Sequence, residues 1–190
     1  MVAPLYLSEN RPSPEKFLRD IQREEKQNIP RGNLKIFFGY AAGVGKTYAM
    51  LSSAQEQLHN GIDVVVGYVE PHSRPETTEL IEGLPIIPPL TIMYKTTELK
   101  EFDLDAVLKR KPGLVLVDEF AHTNTMGVRN RKRFQDVEEL LTAGIDVYTT
   151  LNVQHLESLN DIIENITKVK VRETISDYVF DDADKVKLID

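Results

Sequence analysis

A glycine-rich run that ends in Lys46 and Thr47 has the residue types needed to bind a nucleotide phosphate. Glycines let backbone N–H groups turn toward an anion, and a helix that starts at this point adds its partial positive charge. In such a loop the lysine reaches the β- and γ-phosphates, and the threonine hydroxyl coordinates Mg²⁺. An apolar run, 34–38, precedes the loop and a helical pattern follows it, which is the strand–loop–helix context of a P-loop. The predicted ATP-binding residues are Ala42, Gly43, Val44, Gly45, Lys46, Thr47 and Tyr48, with Thr47 also a ligand of Mg²⁺.

The loop departs from the usual P-loop pattern at one position. Counted back from Gly45, the first glycine of the pattern falls on Tyr40, and Gly39 comes one residue too early. The first glycine mainly eases the turn out of the strand, whereas the later glycines, the lysine and the threonine surround the phosphate. The alternative interpretation is a chance glycine turn before a helix. Phosphate binding is the prediction that the flanking elements favour.

Two adjacent acids, Asp118 and Glu119, follow the apolar run Leu114–Val117. Ligands of open α/β sheets bind at the carboxyl ends of the strands, so this pair is expected at the edge where the P-loop opens. Asp118 is the predicted second Mg²⁺ ligand, and Glu119 is the candidate catalytic residue that orients or deprotonates a water molecule. An acid directly after this aspartate is typical of the RecA-like branch of P-loop proteins. The alternative is a solvated turn.

Asn152 ends the predicted strand 145–151 and is the candidate sensor of the γ-phosphate. A plain helix N-cap is an equally good interpretation of an asparagine at this place, and the two roles are compatible.

A basic cluster, Arg129, Arg131, Lys132 and Arg133, has two interpretations. It can supply an arginine finger or dock an acidic partner. More commonly, such a run is an exposed loop.

Apolar runs alternate with helical patterns from residue 34 onward, which predicts an α/β fold with a mostly parallel sheet and helices on both faces. Residues 1–32 are predicted to be an N-terminal arm and surface helix, and residues 33–190 a P-loop domain. The predicted strands are 34–38, 63–69, 90–94, 113–118, 145–151 and short ones near 169–175 and 185–189. The predicted helices are 47–60, 75–82, 103–111, 133–143 and one that begins at Asn152.

Composition limits the classes of function. The net charge of −7 disfavours nucleic acid as the main partner. The chain contains no cysteine, which excludes disulfides and thiolate metal sites and fits a cytoplasmic location. No apolar run approaches the length of about 18–20 residues that a membrane helix needs, so no direct membrane insertion of this chain is expected.

Three segments together resemble the N-terminal cytoplasmic domain of the KdpD family of osmosensitive potassium sensor histidine kinases. They are Leu34–Met50, Val117–Asn124 and Glu138–Asn160, and the third is far more selective than a P-loop alone. The shifted first glycine is itself typical of that family. The resemblance implies a regulatory ATP-binding domain that works with the remainder of a membrane sensor kinase and, indirectly, with its response regulator. A homodimer is also compatible with it. The chain is expected to be either an excised domain or a naturally short form.

Three functions follow as hypotheses. The first is a sensory module in which Mg-ATP binding shifts the kinase and phosphatase balance of the attached kinase. The second is a P-loop ATPase or phosphotransferase in its own right, with Glu119 as the activating group. The third is a docking scaffold whose partner binding is indifferent to nucleotide.

Overall fold

The computed structural model describes residues 30–70, 75–168 and 170–190. Residues 31–190 form one compact unit. The arm and surface helix predicted within residues 1–32 fall almost entirely outside the described residues and stay predictions. None of the helices in the described ranges combines the length and the apolar character required to cross a membrane.

Five parallel strands form the main sheet: β1 (Leu34–Gly39), β2 (Val64–Tyr68), β5 (Leu114–Val117), β6 (Asp146–Asn152) and β7 (Lys185–Ile189). Their order across the sheet is β2-β5-β6-β1-β7. Strand β6 therefore lies between β1, which leads into the glycine-rich loop, and β5, which leads into Asp118. The predicted parallel α/β sheet is confirmed.

Helices cover both faces of this sheet, as predicted. Because side chains alternate along a strand, neighbouring residues enter two separate cores. The helices are α1 (Lys46–His59), α2 (Pro75–Ile81), α3 (Leu104–Arg110), α4 (Arg133–Thr142), α5 (Glu157–Thr167) and α6 (Asp177–Asp181). One core packs Phe37, Val66 and Leu116 against Met50, Leu51 and Ala54 of α1. The opposite core packs Ile36, Val115 and Val147 against Val107 of α3 and Val137 and Leu140 of α4.

The predicted strand 90–94 forms, but it does not join the parallel sheet. It is β3 (Leu90–Tyr94), and it pairs antiparallel with β4 (Thr97–Glu101), a strand that the sequence analysis missed. Together they form a separate two-stranded sheet. Glu101 lies at the end of β4 and is only 3% exposed. This hairpin brings a buried carboxylate toward the main sheet.

The chain after β6 differs from the prediction. A 3₁₀ turn, Val153–His155, follows Asn152, and α5 begins only at Glu157. The side chain of Asn152 makes no capping hydrogen bond, so its predicted role as a helix N-cap is wrong. In place of the strand predicted near 169–175, the described part of that segment makes one isolated bridge, between Ile175 and Leu156. The strand predicted near 185–189 is confirmed as β7.

Candidate functional site

The glycine-rich loop turns through two residues in the left-handed region of backbone conformation. Gly43 has φ of 86° and Gly45 has φ of 96°, a region that glycine adopts without the steric penalty of a side chain. Gly45 precedes the first residue of α1, and no side chain caps this helix start. The first N–H groups of α1 therefore keep the donor capacity that anions use at helix N-termini.

Gly39 is the last residue of β1 and lies against the glycine-rich loop that follows it. A Cβ atom at Gly39 would lie 2.7 Å from Val44 Cγ2 and 3.0 Å from the backbone carbonyl oxygen of Ile189, so a larger residue would force these neighbours to shift. Tyr40, which occupies the pattern position, is 67% exposed and does not obstruct the loop. The departure from the pattern is therefore compatible with a P-loop geometry.

The ammonium of Lys46 lies within the loop. Lys46 is 8% exposed, and its Nζ donates to the carbonyl oxygen of Ala41 at 2.6 Å. Burial penalises the charged form and lowers the pKa of Lys46, although the carboxylate of Asp118 acts in the opposite direction. A buried ammonium whose hydrogen bond goes to a neutral carbonyl oxygen is electrostatically suited to a polyanionic ligand.

Of the two adjacent acids, Asp118 is the one that contacts Thr47, directly after the glycine-rich loop and Lys46. It is 2% exposed, and its Oδ2 accepts a hydrogen bond from the Thr47 hydroxyl at 3.1 Å. Its Oδ1 accepts from the hydroxyl of Thr150 on β6 and from the backbone N–H of Glu119 at 3.1 Å. The two predicted magnesium ligands, Thr47 and Asp118, are thus in direct contact.

Glu119 occupies a strained corner of the backbone. Its φ is 61°, which for a residue other than glycine costs on the order of 1–3 kcal/mol. Its N–H also lies 3.3 Å from the Thr150 hydroxyl oxygen, which helps to hold this conformation. The pKa of Glu119 is raised by its partial burial and then by the nearby carboxylates of Asp118 and Glu70. A carboxylate with a raised pKa beside a ligand edge has the character expected of a general base.

Arg133 contradicts the interpretation of 129–133 as a uniformly exposed loop. Its side chain is 0% exposed, and it donates from Nη1 to the Asp118 carbonyl oxygen at 3.1 Å and from Nη2 to Glu101 Oε2 at 3.0 Å. A side chain held in this way cannot reach into a neighbouring subunit as an arginine finger. Arg129 remains at the surface, 48% exposed, and pairs with Asp105 at 2.8 Å.

Asn152 ends β6 at the same edge of the sheet, opposite Gly39 in the register with β1. Its Nδ2 lies 3.4 Å from His155 Nε2, and its Oδ1 is buried without a hydrogen-bond partner in the described part of the chain. Asn152 and Glu119 both line a small cavity of about 60 Å³, together with His122, His155 and Glu173. The position of Asn152 and its unpartnered amide oxygen are compatible with its predicted role as a sensor of the γ-phosphate, which stays a prediction.

The donor set fits a magnesium nucleotide. A threonine hydroxyl and an aspartate carboxylate are the hard oxygen ligands that Mg²⁺ takes, and here they already lie within 3.1 Å of each other. Of the remaining predicted loop residues, Ala42 and Tyr48 are exposed, while Gly43, Val44 and Gly45 form the turn before α1. The structure brings every predicted site residue to one edge of the sheet. Their binding roles stay predictions.

Sequence reasoning missed the side chains that support this edge. Thr150 was hidden within a predicted strand, although a pair of threonines near its end was a usable signal. Glu101 carried no such signal, and Arg133 stood out only as a member of the basic cluster, because their contact depends on a hairpin that the sequence analysis did not predict.

Comparison with known proteins identifies close relatives. The sequence profile of the family described as "KdpD: Osmosensitive K+ channel His kinase sensor domain" matches residues 30–190. The chain is 64% identical over 180 residues to the sensor protein KdpD of Clostridium acetobutylicum, covering 95% of this chain and 20% of that protein. It is 52% identical over 180 residues to the sensor protein KdpD of Escherichia coli, with the same coverage of 95% and 20%.

These two relatives are much longer, since the chain spans about one fifth of their length. A putative sensor protein KdpD of Synechocystis is 51% identical over 160 residues, or 84% of this chain and 43% of that protein. A crystal structure of the flagellar accessory protein FlaH from Methanocaldococcus jannaschii is similar at 18% identity over 77% of this chain and 73% of that one. Its TM-score of 0.41 is too low to support an argument about this chain. The family match spans most of the sequence, and the chain belongs to the KdpD family of osmosensitive potassium channel histidine kinase sensor domains.

Proposed function

We propose that this domain binds Mg-ATP at the carboxyl edge of its parallel sheet and thereby regulates a sensor histidine kinase to which it belongs. The observation that carries the proposal is the contact of Thr47 with Asp118, made beside a desolvated lysine at the start of α1. When bound, the magnesium nucleotide supplies a polyphosphate anion and a divalent cation to these groups.

In this proposal, one group of residues binds the phosphates and another binds the metal ion. Lys46 neutralises the phosphate charge, and the N–H groups of the first turn of α1 donate to the phosphate oxygens. Thr47 and Asp118 present oxygen atoms to the cation, while Thr150 fixes the orientation of the Asp118 carboxylate. Asn152, with a buried amide oxygen, pairs in register with Gly39 at the start of the loop and is the residue assigned to sense the γ-phosphate.

Regulation requires that the nucleotide bind one conformation of the kinase more tightly than another. The segment 123–130 connects the acids to α4 and is the element we assign to this change. It is attached through Thr125, whose N–H and hydroxyl donate to Glu101 at 2.7 and 2.6 Å. Met126 is 82% exposed, which places the middle of the segment at the surface. The partners in this proposal are the rest of a membrane sensor kinase, its response regulator and a second copy of the chain, all reached from the cytoplasm.

The first experiment is calorimetry of Mg-ATP binding to wild type and Lys46→Ala. Loss of a charge-assisted contact worth about 1.5–3 kcal/mol predicts at least roughly tenfold weaker binding. Lys109→Ala is the matched control, because Lys109 is an exposed lysine in α3, and it should bind like wild type. Equal affinity of wild type and Lys46→Ala, with both proteins folded, would contradict the proposal.

A second candidate function is hydrolysis or phosphotransfer by this domain, favoured by the raised pKa of Glu119 beside Asp118. In that case Glu119→Gln keeps nucleotide affinity and abolishes phosphate release, since the amide cannot accept a proton from water. Negligible phosphate release by both wild type and Glu119→Gln favours the sensory module instead.

A further inference from the structure

The guanidinium of Arg133 joins the ends of three strands. Besides Asp118 after β5 and Glu101 at the end of β4, it lies over the ring of Tyr68 at the end of β2, with Cζ 4.3 Å from the ring centroid. The Tyr68 hydroxyl in turn donates to Glu70 Oε2 at 2.8 Å. A planar group with directed N–H bonds on its edge and an aromatic ring against its face has a single favourable orientation.

The oriented guanidinium holds the peptide unit that joins Asp118 to Glu119. The carbonyl of Asp118 accepts from Arg133 at 3.1 Å. The N–H of the same peptide, belonging to Glu119, donates to Asp118 Oδ1 at 3.1 Å and to Thr150 Oγ1 at 3.3 Å. The peptide between the two acids is thus held at both its ends. The plane of this peptide is one of the two that set the φ angle of Glu119; the other follows it, and its Phe120 N–H donates to the Thr150 carbonyl oxygen at 3.0 Å. The resulting left-handed conformation is one that Glu119 would not adopt by preference.

Stability alone does not account for an arginine at this place. A buried ion pair often contributes no more than apolar residues of similar volume, because both charges lose their hydration. Arg133 also leaves its Nε buried without a partner in the described residues. What an apolar side chain cannot provide is an N–H directed at the Asp118 carbonyl.

We propose that Arg133 is a positioning residue that holds the Asp118–Glu119 peptide in place, so that Asp118 faces Thr47 while Glu119 is directed away from it. The inference rests on the proposed function for its purpose, since the two acids need separate orientations only if they serve a bound magnesium nucleotide. The arrangement itself can be measured without any nucleotide.

The test is amide hydrogen exchange measured by NMR on the nucleotide-free protein. The main variant combines Arg133→Met with Glu101→Gln, so that no unpaired charge remains buried. The exchange protection of the Glu119 amide should fall at least tenfold, while amides in β5 and α4 keep theirs. Arg129→Met, which removes an exposed arginine four residues earlier in the chain, should leave Glu119 protected. Unchanged protection of the Glu119 amide in the double variant overturns the inference, and so does an equal loss throughout β5 and α4, which would indicate a purely structural role.

Arg133→Lys provides a second test that retains the charge opposite Glu101. A single ammonium lacks the planar fork that reaches Glu101 and the Asp118 carbonyl together, so Glu119 should again lose protection. Wild-type protection in Arg133→Lys would overturn the assignment of the guanidinium. Calorimetry of wild type with Mg-ATP tests the proposed function alone, so failure of either proposal is distinguishable from failure of the other.

Discussion

Two adjacent threonines in β6 provide the sharpest test of the site geometry. Thr150 is 5% exposed, and its hydroxyl contacts the Asp118 carboxylate and the Glu119 amide. Thr149 is 0% exposed, and its hydroxyl has no hydrogen-bond partner in the part of the chain that the structure describes. Replacing each with valine removes the hydroxyl and leaves a side chain of the same shape. Only the Thr150 substitution should therefore destabilise the domain.

The magnitudes follow from the partners. Thr150→Val removes a hydrogen bond to a charged group, which contributes about 1.5–3 kcal/mol to the free energy of unfolding. Thr149→Val removes a buried hydroxyl whose desolvation is uncompensated, and it should leave stability unchanged or raise it by about 1–3 kcal/mol. At about 2–4 °C per kcal/mol for a domain of this size, the midpoint of Thr150→Val should fall by roughly 3–12 °C.

Denaturant unfolding followed by circular dichroism measures both variants. The slope of the free energy against denaturant concentration should match that of wild type, so that the comparison concerns stability and not compactness. Equal destabilisation by both variants would refute the assignment, because it would show that loss of a β6 hydroxyl matters irrespective of its partner. A neutral Thr150→Val would refute it as well.

Two further predictions concern acid stability and the loop. Burial alone would raise the pKa of Glu101, but hydrogen bonds from His122 and Thr125 lower it from 4.5 to about 2. The ionised Glu101 therefore contributes about 3 kcal/mol to the free energy of unfolding above pH 4.5, and this contribution is lost as the pH falls toward 2. Unfolding measured from pH 5 to 2 should show Glu101→Gln less stable than wild type at pH 5 and the difference shrinking on acidification; a constant difference would contradict this. Gly39→Ala should lower the free energy of unfolding by about 1–3 kcal/mol and weaken Mg-ATP binding, because its Cβ would meet Val44 and Lys46. Tyr40 is exposed and occupies the position of the first glycine in the usual P-loop pattern, so Tyr40→Ala should change the free energy of unfolding by less than about 0.5 kcal/mol. A larger effect than that of Gly39→Ala would contradict the importance assigned to Gly39.

The sequence predicted those parts of the fold that local patterns determine. Buried parallel strands appear as continuous apolar runs, and helix ends are marked by residues such as Asp103, whose side chain accepts from the Ala106 amide at 2.9 Å. The glycine-rich loop and the two acids stood out in the sequence because each combines a strand end with a particular residue type. The hairpin partner β4 was missed because its sequence, TELKE, is polar and lies mostly at the surface.

Contacts between distant segments could not be predicted in the same way. Glu101 and Arg133 are each ordinary charged residues in the sequence, and they are buried together because the hairpin brings the end of β4 to the first residue of α4. The helix start predicted at Asn152 failed for a related reason. The 3₁₀ turn after it is held by tertiary contacts, among them His155 Nδ1 to the Glu173 carbonyl at 2.7 Å, and these override the local capping preference.

The strand order explains why a threonine of β6 is central to the site. Because β6 lies between β1 and β5, the loop and Asp118 start from strands roughly 10 Å apart, two strand spacings. The start of α1 places the Thr47 hydroxyl against Asp118 Oδ2. Strand β6, which lies between the two strands, places the Thr150 hydroxyl against Oδ1. Each oxygen of the carboxylate is thus held by a different element, and the same Thr150 hydroxyl also contacts the Glu119 amide. A change at Thr150 should therefore disturb both acids, whereas a change at Asn152, whose amide contacts neither, should leave the nucleotide-free arrangement of the two carboxylates intact.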